Sequence, residues 1–576
     1  MKKLLGILVS VFLFAGMFFA VLPAFSFSPF ASADDTARAY YVSSESGNDE
    51  NDGSLENPFR SLAMISQTYL NPNDTVYLKR GEVFAGSVML HGMGTSEAPI
   101  TLTAYGHGDR PYIKGTRDDE SSAIKIGAGS QGFRIIGIEM GGTKYGITIM
   151  ANDSIANDYY YIEDCYIHDC FDTRSGYAWA TWFYWGKGIA VLGPNGDYYN
   201  DPNEPGEHRE PKIANVSRLT VTNCIFLNND SDFIPAGVFL TDVLFYGCTL
   251  MRSHYNSLYQ TMGTNFDIIN CVWRDAGTAH FEAGVTCVLA GGLTGGPDTN
   301  TVFGNEFGFT RDSGGADGCA YDFEFSTDGI TFSDNFVHNS FGEAVLMMKE
   351  AVCHDIKIAD NIFYRNLVGT DMHNSEVGLY GKGTGVVVGN IYEYRKGREF
   401  VNYVRPRGIV TIFKEMEGNK SGFLVADNVQ KNLSALMLTP PIFAFNAGGE
   451  AMAEGGATAS YLTLLGPVGA HLYYTTDGSV PTKDSTRYLG EAIVVHKTTV
   501  INVKAFRDGY MESYTETIIL SPDGVVALPE LPEMQARGGI FPLRYLAIGL
   551  AVFVVFGTLA VVLMIRLFRK KKGTVA

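Results

Sequence analysis

Short bursts of alternating apolar and polar positions, separated by polar corners, fill the chain between residues 38 and 434. Eight hexamers share one order: apolar, any residue, Gly/Asn/Asp, Cys/Asn, any residue, large apolar. They read IEDCYI, VTNCIF, FYGCTL, IINCVW, VFGNEF, FSDNFV, IADNIF and VVGNIY, with Cys165, Cys224, Cys248, Cys271, Asn305, Asn335, Asn361 and Asn390 in fourth place. Weaker copies lie around Ile138 and Asn428. Neighbouring copies are 23 to 34 residues apart, apart from the 59 between Cys165 and Cys224. A period of two marks a strand, and a strand that returns every couple of dozen residues builds a coil of parallel sheets. The Gly, Asn or Asp in third place tolerates the left-handed backbone that a sharp corner needs. The pattern therefore predicts a right-handed parallel β-helix, a one-dimensional solenoid. Coils stack ~4.8 Å apart, so like residues form columns: amides that bond one another, and small buried thiols. No Cys-x-x-Cys pair exists, and Cys165 with Cys170 is the one pair to test for a disulfide.

Beyond residue 440 the alternation changes partner. Val500, Asn502 and Lys504 alternate with Ile501, Val503 and Ala505, as in an antiparallel sheet with one wet face; residues 440–521 are read as a small β-sandwich. Residues 522–544 form a linker. Tyr545 to Ile565 holds no charged residue and is long enough for a bilayer, which takes ~20 residues. Arg566, Arg569, Lys570, Lys571 and Lys572 follow, so the tail 566–576 is expected to stay cytoplasmic. Met1-Lys2-Lys3, an apolar run from Leu4 to about Leu22 and Ala31-Ser32-Ala33 read as a signal peptide, residues 1–33. The fold class is thus all-β, a solenoid, a sandwich and one transmembrane helix. The expected location is the cell membrane, single-pass, with the ectodomain outside. LPEMQ (531–535) resembles a sortase sorting signal, but Met534-Gln535 stand where Thr-Gly is needed, so the helix is read as a retained anchor.

The formal net charge of −18 argues against nucleic acid, whose partners carry a basic footprint. Nucleotide, zinc-protease and esterase motifs are missing from the sequence. GNDENDGSLENPF (47–59) has the composition of a calcium loop. Laid on that template, however, its twelfth position is Phe59 and not Glu. A turn leading to a helix near Asn57-Pro58, with Pro58 at its first position, fits better.

With G-x-D-x-N-D-G-S…N-P-F…L and then N-D-T-V-Y-L-x-x-G, that stretch resembles the N-terminal cap (38–96) of pectate-lyase-like β-helix proteins. This superfamily contains polysaccharide lyases, glycoside hydrolases, epimerases and non-catalytic adhesins, so the resemblance implies fold more than chemistry. YTTDGSVPT and INVKAFRDGY are similar to the C-terminal domain of chitobiase and β-hexosaminidase, which implies an accessory domain beside a glycan-active one.

In proteins of this resemblance the site lies in a groove along an outer sheet. The segments SLYQ, AHFEAG, CAYDFEFST, EAVLMMKE and TDMHN place Gln260, His280, Glu282, Asp322, Glu324, Lys349 and His373 on or near one face. Arg274 and Arg311 overhang it. Hydrolysis needs two carboxylates, drawn from Glu282, Asp322 and Glu324, and requires no cofactor. A lyase would use Lys349 as base and Ca2+ on the uronate. The metal ligands are left unspecified. The insertion 172–212 supplies Trp179, Trp182 and Trp185 as a platform for sugar rings. The expected partner is a polysaccharide or other glycan, and the alternatives are hydrolase, lyase or a glycan-binding adhesin.

Overall fold

A computed structural model describes residues 37–116, 121–172, 185–194, 213–278, 286–311, 318–324, 326–348, 351–368, 375–393, 399–402, 422–445 and 459–528. Each coil of the solenoid visits three strips of parallel strands. Val352–Ala359, Ile362–Tyr364 and Ser375–Leu379 make one such coil, and Lys382–Val388 begins the next. The middle strand of each coil joins a 12-stranded sheet of three-residue strands, from Val83–Ala85 to Val429–Lys431. The other two strips are joined into one 25-stranded sheet, because Leu258–Ile269 pairs at its start with Ser231–Ala236 and at its end with Val238–Tyr246. All these pairings are parallel, so the architecture is a parallel β-helix. Its core is a continuous file of Ile, Leu, Val and Phe from Val42 to Phe423.

The corners follow the hexamer. Its third residue is left-handed in every copy, with φ between 53° and 70° from Asp164 to Gly389. The fourth position points inward. Asn335 N–H donates to Asn361 Oδ1 at 2.9 Å, its Nδ2 reaches the same oxygen at 3.1 Å, and also Val302 O at 2.9 Å. The same pattern links Asn305, Asn335, Asn361, Asn390 and Asn428. The thiol column meets it where Cys271 N–H donates to Asn305 Oδ1 at 2.8 Å. All eight cysteines, Cys165 and Cys170 included, are free and buried.

The opening stretch ties the first strand, Ala39–Val42, to a helix that starts at Leu62 and not at Pro58. Asp49 is the reason. Its carboxylate accepts Arg60 N–H at 2.9 Å, Ser61 N–H at 2.8 Å and Ser61 Oγ at 2.7 Å, holding residues 60–61 extended ahead of the helix. Among the described residues no cluster of His, Cys, Asp or Glu has metal-site geometry, and no helix is long and apolar enough to cross a membrane. Residues 1–33 and 545–565 lie outside the described residues.

The sandwich packs Ile442–Phe445, Ser460–Leu465 and Ile493–Val495 against a five-stranded antiparallel sheet built around Thr499–Phe506. Here the expected wet face is dry. Ile501, Val503 and Ala505 fill the sandwich core, while Val500, Asn502 and Lys504 are buried against the short sheet of the solenoid. Lys504 Nζ lies 3.0 Å from Glu306 and 2.8 Å from Glu512. Glu306 also accepts Thr515 N–H at 2.6 Å and Oγ1 at 2.7 Å, and stands 3.2 Å from His338. Arg110 and Lys497 both meet Asp164, and Asp109 accepts Thr498 N–H at 2.7 Å. Tyr166, Ile225, Leu227 and Met251 seal the joint against Val500 and Ile519.

Burial alone would raise the Glu306 carboxyl, but Lys504 first, and then His338 and Thr515, hold it well below the ordinary carboxylate range. A depressed acid stabilises the fold above its unfolded value and loses that contribution as pH falls through the folded one. The docked domain is therefore expected to loosen in acid below about pH 4.5, seen as protease cleavage between 430 and 460. Glu306→Ala leaves the buried Lys504 with only the part-exposed Glu512 as partner and is expected to cost about 3 kcal/mol, measured by urea denaturation. Asn361→Ala removes the acceptor of Asn335 N–H and is expected to cost about 1–3 kcal/mol by the same measurement.

Candidate functional site

The strip carrying Tyr321–Phe323 presents the candidate face. Tyr321 and Phe323 are core residues, so Asp322 between them and Glu324 after them turn outward. Asp322 lies in register between Leu289 and Leu346, and Tyr259 stands opposite Leu289 one coil earlier. Asp322 is 1% exposed, whereas Tyr259, Leu289 and Glu324 are half-buried. A buried carboxylate thus shares one outward row with a half-buried aromatic and a half-buried aliphatic side chain, and a half-buried carboxylate follows it in its own segment. On the far side Gly378 follows Leu346 in the row, and a Cβ there would stand 2.8 Å from the Tyr380 ring. The missing Cβ lets that ring lie flat on the sheet, where its hydroxyl donates to Glu343 at 2.7 Å.

Two features of this face escaped the sequence reading. In SLYQ the outward residue is Tyr259, while Gln260 is fully buried, donating to Phe266 O at 2.9 Å and accepting Tyr321 Oη–H at 2.6 Å. A shift of one residue in a strand exchanges its faces, and Leu258, a core residue, carried the parity signal. In the next coil the strand in register is Val288–Leu293, which begins after AHFEAG. Glu343 and Tyr380 lay in segments whose register no hexamer marks.

His280, Glu282, Lys349, His373, Trp179 and Trp182 lie outside the described residues. Trp185 is described and is 3% exposed, stacked on Tyr255 with centroids 3.8 Å apart and its carbonyl accepting from Lys187 Nζ at 3.1 Å. It is packed as interior and offers no open ring. Arg274 belongs to the short sheet and faces the sandwich: Nη1 donates to Thr515 O at 2.6 Å and stands 3.6 Å from Glu516. It is on a different strip from Asp322. Arg311 pairs with Asp275 at 2.6 Å.

One acid elsewhere has a tempting charge state. Burial lifts the Asp232 carboxyl to about 7, against the hydrogen bonds from Ser257 and from Asn229 at 2.9 Å. It is wholly buried in second place of the strand Ser231–Ala236 and reaches back to Asn229 ahead of that strand, and the same device recurs where Asn366 Nδ2 donates to Glu376, second in Ser375–Leu379, at 2.9 Å. Both acids brace corners from within.

Against known proteins, residues 453–517 match the chitobiase/β-hexosaminidase C-terminal domain family. A lacto-N-biosidase of Bifidobacterium longum subsp. longum is 34% identical over 110 residues, covering 17% of this chain and 7% of that protein. Among solved structures, the GH136 lacto-N-biosidase of Eubacterium ramulus is similar with a TM-score of 0.47 and 16% identity, over 68% of each chain. An alginate lyase of Paenibacillus sp. has a TM-score of 0.37 and 13% identity, over 57% of this chain and 98% of its own.

A raised acid favours the fold most below its unfolded value of 3.8 and loses that contribution as pH rises through about 7. Asp232→Asn is therefore expected to flatten the rise in stability on acidification between those values, followed by thermal melts across pH.

Proposed function

We propose that this chain is a carbohydrate-active enzyme, a glycoside hydrolase whose two carboxylates are Asp322 and Glu324. The observation that carries this reading is their placement: both turn outward from one extended segment, one buried and one half-buried. Residues two apart on a strand are separated by ~6.6 Å, inside the ~6.5–9.5 Å that leaves room for a water and predicts inversion. The half-exposed Glu324 meets solvent and activates the water. Asp322, the buried member of the pair, gives its proton to the leaving oxygen. The local likeness to a lacto-N-biosidase makes lacto-N-biosides the first substrates to try. A hydrolase of this kind needs no cofactor. We further propose display at the outer cell surface, with residues 545–565 as the anchor.

The purified protein, assayed on p-nitrophenyl lacto-N-bioside and a polysaccharide panel, is expected to release reducing ends with or without chelator. Asp322→Asn and Glu324→Gln are each expected to lower kcat by ~10²–10⁴. Calcium-dependent absorbance from unsaturated uronates would overturn this in favour of a lyase using Lys349. Sugar binding without turnover would leave a glycan-binding surface protein.

A further inference from the structure

We infer that Tyr259 is the hydrogen-bond donor that holds a sugar hydroxyl two coils along the row from Asp322, oriented for that task by Asn256. The inference deepens the hydrolase reading and rests on it for the identity of the ligand as a glycan. Tyr259 and Asp322 face outward from the same strip with Leu289 between them, two coil spacings or ~9.6 Å apart along the row. Leu289 gives the apolar floor on which a sugar ring face can rest.

Asn256 decides what the phenol does. Its Oδ1 accepts Thr286 N–H at 2.6 Å, which fixes the amide the right way round. Its Nδ2 therefore points the other way and donates to Tyr259 Oη at 3.0 Å. With that lone pair occupied, the phenol proton is turned away from Asn256, and no described group takes it. Asn256 is 5% exposed and Tyr259 half-buried, so the anchor is shielded while the tyrosine is partly open to solvent. Burial first, and Glu324's charge to a lesser degree, hold the phenol above its ordinary value against the Asn256 bond, so the proton stays on across neutral pH. A site built to bond a hydroxyl leaves a buried partner unpaired when the hydroxyl is missing, and so discriminates by chemistry as well as shape.

The test separates binding from turnover. Titration calorimetry with free lacto-N-biose on the full chain is expected to show binding to wild type and to Asp322→Asn. Tyr259→Phe leaves Asn256 Nδ2 unpaired and is expected to melt a few degrees lower while staying folded at the assay temperature, to bind about ten-fold more weakly, and Asn256→Ala to fall between. In the assay of p-nitrophenyl lacto-N-bioside, Tyr259→Phe is expected to raise KM more than it lowers kcat. Equal affinity of wild type and Tyr259→Phe, or no affinity in wild type, overturns the role of Tyr259. Weakened binding in Tyr259→Phe without turnover in wild type keeps that role and overturns the hydrolase.

Discussion

The coils that carry the hexamer all turn at the same place, and a single left-handed residue makes it possible. With φ near 55° at Asp164, Asn223, Asn270, Asp334 and Asp360, the chain turns within one residue and feeds the next strand inward. The residue after it is then committed to the interior, where a buried amide or thiol must be satisfied by its counterpart one coil away. The stacking of the short sheet and the amide column both descend from that corner. A side chain there that dislikes the left-handed region would strain the turn and every register after it.

The corner also explains what the sequence made legible. Hexamers that carry it located the coils, and the motif-rich cap and sandwich were read from their own turns. Strands of the candidate face were harder, because their start depends on loops of unequal length that no motif measures. The alternation of Tyr321–Phe323 is that of the structure, whereas SLYQ was read one residue out of phase. Arg274 looked like an overhanging cation, and only tertiary structure reveals that Thr515 and Glu516 already hold it.

The sandwich domain is a case of local pattern yielding to tertiary context. Val500, Asn502 and Lys504 have the composition of a solvated face, and in an isolated sandwich they would be one. Glu306 reverses the outcome. It presents a buried anion on the short sheet, and a lysine is what such a surface requires. Phe336, next to Glu306 in the short sheet, places its ring 5.4 Å from Lys504 Nζ and helps to keep water from the pair. The joint thus leaves the Asp322 face, on another strip, uncovered by the domain.

That joint has a mechanical side. The sandwich grips coils far apart along the axis, at Asp109, Asp164, Thr249, Asn270 and Glu306. Tension entering through the chain beyond Leu528 reaches those coils side by side, as shear across many bonds loaded together. Peeling, in which the last coil gives way and each neighbour follows, is bypassed. A solenoid that would unravel most easily from its end is here held by its flank.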